Sequence, residues 1–150
     1  MLERSNRPKR VETPMAVSDW PDWVQADMKA NLFNPCVGGT LVSQGERARV
    51  WHIWLRPGER LPFHRHVLDY FWTVTSAGRS RSYYEDGKVV EIDNEVGDTA
   101  HLSFAKGEHM VHDLNNIGDT VLGFVTVEFL PSQNEPLPLP ETVKAGREAA

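Results

Sequence analysis

The chain has 150 residues, a formal charge of −5 and a pI near 5.6, with 40% hydrophobic and 25% charged residues. This is ordinary composition for one globular domain with its own core, and the acidic balance offers no basic surface for nucleic acid. Cys36 is the only cysteine, so an intrachain disulfide and a thiolate metal cluster are both excluded.

The first residues, MLERSNRPKRVETP, are basic and polar, with no apolar stretch of the kind a secretory leader needs. Disorder is expected up to about Pro14, and no run is long enough to span a membrane. A cytoplasmic protein is the expectation. The segment Asp19-Trp20-Pro21-Asp22-Trp23 combines a capping residue with a first-turn proline, which predicts a short helix near residues 19–29.

After Asn34-Pro35 the texture changes. Arg47 to Leu55 places Trp51, Ile53 and Leu55 on one parity and Val50, His52 and Trp54 on the other, as in a strand covered on both faces. His52 is accordingly expected in the core. Short β-like runs follow at Phe71–Thr75, Arg81–Tyr84, Lys88–Ile92, Thr99–Phe104, His109–Leu114 and Val121–Leu130. They are punctuated by Ala77-Gly78, Asp86-Gly87, Gly97-Asp98, Lys106-Gly107 and Gly118-Asp119. Such spacing predicts an all-β sandwich or barrel. The tail, with Pro136-Leu137-Pro138-Leu139-Pro140, is too proline-rich for a central strand and is expected to lie extended on the surface or loose.

Within PGERLPFHRHVLDYF, His64 and His66 are two residues apart. In a strand they share a face and can converge on one point, and neutral imidazoles bind Fe, Mn, Ni, Cu or Zn. The frame around them, Gly58, five residues, His64-Arg65-His66 and then Gly78, resembles the first motif of the cupin superfamily. The resemblance covers about residues 45–130. It implies a double-stranded β-helix (cupin, or jelly-roll, barrel) with a short N-terminal helix and extended termini. The implied division is an N-terminal extension at 1–35, the barrel at 36–131 and the proline-rich tail at 132–150.

One position departs from the family pattern. Counting back from Gly78 puts Phe71 where the family carries a glutamate ligand, so Phe71 is expected as an apolar wall of the cavity. Asp69, on the same parity, is a carboxylate candidate if the strand bulges, or else a turn residue.

The second motif resembles the stretch Gly97 to Asn116. His112, three residues, Asn116 and Gly118-Asp119 match its close, which implies His112 as the third metal ligand. A hairpin turning at Lys106-Gly107 would keep His112 inward, turn His109 outward and set His101 opposite His112. His101 is then a supporting partner, a substitute ligand or simply a satisfied barrel histidine.

The resemblance therefore implies a divalent transition-metal ion on His64, His66 and His112, with Tyr70, His101 or Glu128 as the candidate proton carrier. The function expected is that of a metal-binding cupin enzyme acting on a small organic acid or related metabolite, as a dioxygenase or as a lyase or isomerase. The alternative is a non-catalytic small-molecule-binding or sensor cupin. Trp20 and Trp23 lie where the barrel does not need them, so a homodimer built partly by the N-terminal segment is also expected, the alternative being that the Trp20–Met28 helix folds back on its own barrel.

Overall fold

A computed structural model describes residues 8–145. Two five-stranded antiparallel sheets face each other, in the orders β1-β7-β6-β9-β4 and β2-β3-β10-β5-β8. The strands are β1 Arg10–Pro14, β2 Thr40–Gln44, β3 Ala48–Leu55, β4 Arg60–His66, β5 Tyr70–Ser76, β6 Gly78–Tyr84, β7 Lys88–Asn94, β8 Thr99–Leu102, β9 Met110–Asn116 and β10 Leu122–Phe129. This is the expected double-stranded β-helix. Gly58 and Gly97, the leading glycines of the two motifs, turn with φ of +83° and +92°, a region in which side-chain-bearing residues are strained.

The core between the sheets follows the strand period. Ile53 and Leu55 of β3 meet Leu61, Val74, Leu122 and Phe124. His52 and Trp54 face the other way, and Trp54 is 63% exposed. The expectation of a doubly covered strand with His52 in the core is thus corrected: among the described residues no further layer packs on that face, and β3 is an ordinary half-buried strand of an antiparallel sheet.

The N-terminal segment also differs from expectation. Residues 1–7 lie outside the described residues, but Arg10–Pro14 form strand β1, paired with β7 from Arg10↔Ile92 to Pro14↔Lys88. Polar side chains do not prevent this, because an edge strand is held by backbone hydrogen bonds and all five residues are exposed.

Helix α1 runs from Asp22 to Ala30 with Pro21 at its N-cap and no side-chain cap. It folds back on its own barrel. Trp20, just before it, is 2% exposed, stacks on Phe63 at 6.0 Å and meets the edge of Tyr83 at 5.2 Å. Trp20 is therefore satisfied within its own chain and supplies no dimer contact. Trp23 remains 55% exposed, with the Arg60 guanidinium 5.0 Å from its ring centre. At the other end, residues 131–145 follow an irregular path, and Leu139 and Val143 cover the cluster of Val37, Leu41 and Trp51.

Candidate metal centre

His64, His66 and His112 meet inside the barrel, with one ring nitrogen from each lying within 4.8 Å of the others. Strands β4 and β9 place them: His64 lies directly across from His112, and His66 follows two residues on. The ring centres are 4.6 Å apart for His64 and His112, 4.9 Å for His64 and His66, and 5.2 Å for His66 and His112. The Nδ1 of His64 lies 2.8 Å from the Pro62 carbonyl oxygen, which leaves its Nε2 free. The Nε2 atoms of His66 and His112 face each other at 3.2 Å, and both Nδ1 atoms are buried with no partner.

Burial sets the protonation state. It pushes the His64 ring down to about 4, opposed by the Pro62 carbonyl and the Asp27 charge. It also holds His66 well below its usual value, with His64 and His112 adding repulsion, and it holds His112 low with help from His64 and Lys88. At neutral pH all three are uncharged, the form in which imidazole ligates a metal. Three converging neutral imidazoles fit a divalent transition-metal ion, and these three residues would hold it.

Tyr70, not Phe71, stands beside the histidines. Tyr70 lies flat on His66, ring centres 4.0 Å apart and planes 11° from parallel. Phe71 points away from the cavity and packs against His101 and Phe129 on the outer face, at 5.4 and 5.9 Å. The expectation of Phe71 as a cavity wall is therefore corrected. Its cause is strand parity: β5 begins at Tyr70, so Tyr70, Trp72 and Val74 face inward. Asp69 is a turn residue, its carboxylate accepting from the Phe104 N–H at 2.9 Å and its own N–H donating to Ser132 Oγ at 2.9 Å.

His101 does not reach the site. Strand β8 pairs with β5, setting His101 beside Phe71, whereas β9 pairs with β4 and β6. The expected hairpin is not formed, because the chain passes from one sheet to the other between Leu102 and Met110. That crossing is anchored by Phe104 on Asp69 and by Gly107 N–H on Asn134 Oδ1 at 2.8 Å. His109 sits at the exposed end of this crossing, 2.9 Å from Glu85.

Glu128 is buried opposite Tyr70 on β10 and accepts from Trp51 Nε1–H at 2.7 Å. It does not line the histidine cavity but lies with Arg49, Leu68 and Leu137. Burial pushes its carboxyl up to about 7 against the lowering pull of Trp51 and Arg49. The folded value lies above the unfolded one near 4.5. Its contribution to stability is therefore full below pH 4.5 and is lost as pH rises through 7. At about 1.4 kcal/mol per pH unit, Glu128→Gln is expected to gain about 3 kcal/mol on the wild type between pH 4.5 and 8. Urea unfolding at both pH values checks this, and a difference independent of pH contradicts it.

The cavity beside the histidines has a free volume of about 60 Å³, room for roughly four waters. Among the described residues its lining contains no Asp, Glu, Lys or Arg. Ser80, Ser82 and Tyr84 line it from β6, and Asn94 donates to Ser80 Oγ at 3.0 Å. Tyr84 stacks on His112 at 4.9 Å. Burial pushes its phenol up to about 12 and drives that of Tyr70 well above 10. These lining residues escaped the sequence reading, although the alternation Ser80, Ser82, Tyr84 marks one inward face.

Fold and site together define a double-stranded β-helix protein with a three-histidine centre in its barrel. Solved structures of the same kind match it. A cupin domain from Bordetella pertussis is 26% identical over 60% of this chain and 88% of its own, with a TM-score of 0.52. An uncharacterised double-stranded β-helix protein from Klebsiella pneumoniae is 25% identical over 63% of this chain and 76% of its own, at 0.50. An RmlC-like cupin family protein from Methanocaldococcus jannaschii, 20% identical over 60% and 76%, has the same fold at 0.50. The chain belongs to the cupin superfamily. No family model and no curated protein sequence matches it. Among the described residues no helix is long and apolar enough to cross a membrane.

Proposed function

We propose that the chain is a metal-dependent cupin enzyme of the cytoplasm, acting on a small hydroxylated or enolisable organic acid or a related metabolite, by dioxygenase or by lyase or isomerase chemistry. The observation that carries this reading is the pairing of three converging neutral imidazoles, His64 and His66 buried and His112 half-buried, with a small cavity that has no charged side chain among the described residues of its lining. A bound divalent ion would supply Lewis acidity and open positions for a chelating substrate or O2.

The chain's own residues do the rest. With no arginine or lysine in the lining, nothing but the bound ion can balance a substrate's negative charge, which favours a compact acid with one anionic group. Ile53, Trp72 and Phe124 exclude bulk water from one wall, while Ser80, Ser82 and Asn94 offer hydrogen bonds on the other. Tyr70, buried against His66 and neutral, holds a proton at the cavity and is the candidate proton carrier. His101 and Glu128 lie outside this lining.

The second reading, a non-catalytic small-molecule-binding module, is favoured by the lack of any ionised acid or base in the lining. Metal-loaded protein tested against small 2-hydroxy, 2-oxo and 1,3-dicarbonyl acids, with O2 uptake and product followed, separates the two. Turnover is expected, reduced roughly 10²–10⁴-fold in Tyr70→Phe with unchanged metal content. Ligand-induced shifts of a cobalt spectrum without turnover would support the binding module instead, and full turnover by Tyr70→Phe would remove that residue's role.

A further inference from the structure

Two of the three histidines face the barrel interior only because strand β4 is irregular. Leu61 points inward into the core with Leu122 and Phe124. Strict alternation from Leu61 would turn Phe63 inward and both His64 and His66 outward. The observed register prevents this. Leu61 pairs with Leu114 and His64 with His112, so Pro62 and Phe63 together oppose the single residue Asp113. This two-against-one bulge sends Phe63 out under α1, where it packs with Trp20, Val24 and Val111, and brings His64 and His66 in.

β4 is also the edge of its sheet, and side chains from the N-terminal segment hold the bulge from that side. Asp27 Oδ2 accepts the Phe63 N–H at 3.0 Å, and Asn34 Nδ2 donates to the Phe63 carbonyl at 2.9 Å. The Arg65 N–H donates to the Asn34 carbonyl at 2.8 Å. Both clamping side chains are themselves fixed. Asp27 Oδ2 also accepts from Arg60 at 3.1 Å, and Arg60 in turn bonds buried Asp113 at 2.8 Å. Asn34 Oδ1 accepts the Cys36 N–H at 3.1 Å.

We infer that Asp27 and Asn34 are positioning residues for the metal centre: by clamping the backbone of Phe63 they hold the β4 bulge that aims His64 and His66 into the barrel. The inference rests on the metal reading for its consequence, but not for its geometry. Neither residue offers an atom to the histidine cluster or lines its cavity, although the Asp27 charge is felt by His64. Their effect passes through the strand, as outer partners of metal ligands commonly act.

Two readouts test it. The first is Zn²⁺ affinity by chelator competition, together with the visible spectrum of the Co²⁺ form. Asp27→Ala and Asn34→Ala are each expected to weaken binding roughly 10–100-fold and to alter the cobalt band, whereas Asp27→Asn, which keeps an acceptor for the Phe63 N–H, restores affinity to within about threefold. Val24→Ala is the control for helix docking. It removes buried packing under α1, should lower the melting temperature and should leave the affinity within about twofold, because it touches no bulge hydrogen bond.

The second readout needs no metal. Diethylpyrocarbonate modification followed by mass spectrometry should spare His64 and His66 in the wild type and label them in the two alanine variants. Should Asp27→Ala fail to fold, Asn34→Ala carries both tests. Wild-type affinity with protected histidines in the alanine variants overturns the inference, and so does a Val24→Ala loss equal to theirs. A wild type that binds neither ion, yet loses histidine protection in the alanine variants, keeps the positioning role and removes the metal reading instead.

Discussion

Alanine at His64, His66 or His112 is expected to lower affinity for a divalent transition metal by at least about 100-fold, whereas His109→Ala leaves it unchanged. Each of the three rings stands on a strand and packs against the other two at 4.6–5.2 Å, and among the described residues the cavity lining offers no carboxylate, thiol or further imidazole to replace a lost nitrogen. Asp69, three residues past His66, is committed to the Phe104 N–H, and Asp113, beside His112, to Arg60 and the Tyr83 N–H. Tyr70 lies flat against the His66 ring, and burial raises its phenol well above the usual value. His109 faces Glu85 at the surface. Isothermal titration with Zn²⁺ or Co²⁺ checks the set. Loss of affinity in His109→Ala with retention in His112→Ala would mean that the barrel register is wrong.

Trp20→Ala is expected to destabilise the protein by about 3–5 kcal/mol, the usual cost of removing a buried aromatic. The side chain is 2% exposed, stacks on Phe63, meets the edge of Tyr83, and donates from Nε1 to the Met15 carbonyl at 3.2 Å. Trp23→Ala, by contrast, should cost less than about 1 kcal/mol, since that ring is mostly in water and is held by one cation–π contact. Urea denaturation of the two variants decides between them. Equal effects would mean that α1 does not dock as described.

Much of the fold was legible in the chain because turn dipeptides and period-two alternation are local signals. Gly58 and Gly97 stand where positive φ is needed, and the spacing around His64, His66 and His112 picked out the three histidines that cluster in the barrel. What escaped was non-local. Whether the face of β3 bearing His52 and Trp54 is covered depends on a layer that no residue of β3 encodes. Arg10–Pro14 pairs with a strand some eighty residues away, so its polar composition concealed it. The placement of His101 turned on whether β8 and β9 pair with each other or with different sheets, and Lys106-Gly107 reads the same in either case. Parity was lost at two places. At Tyr70 a single residue decided which side chain meets His66, and at Phe63 the bulge depends on Asp27 and Asn34, about 30 residues earlier in the chain.

The most direct test of the account is the metal content of the protein purified without a histidine tag, measured by inductively coupled plasma mass spectrometry beside His64→Ala. About one equivalent of Fe, Mn, Ni, Cu or Zn per chain is predicted for the wild type, falling below about a tenth in the variant. A wild type that carries no metal and takes up none on titration, or a His64→Ala protein that keeps a full equivalent, would contradict the metal centre.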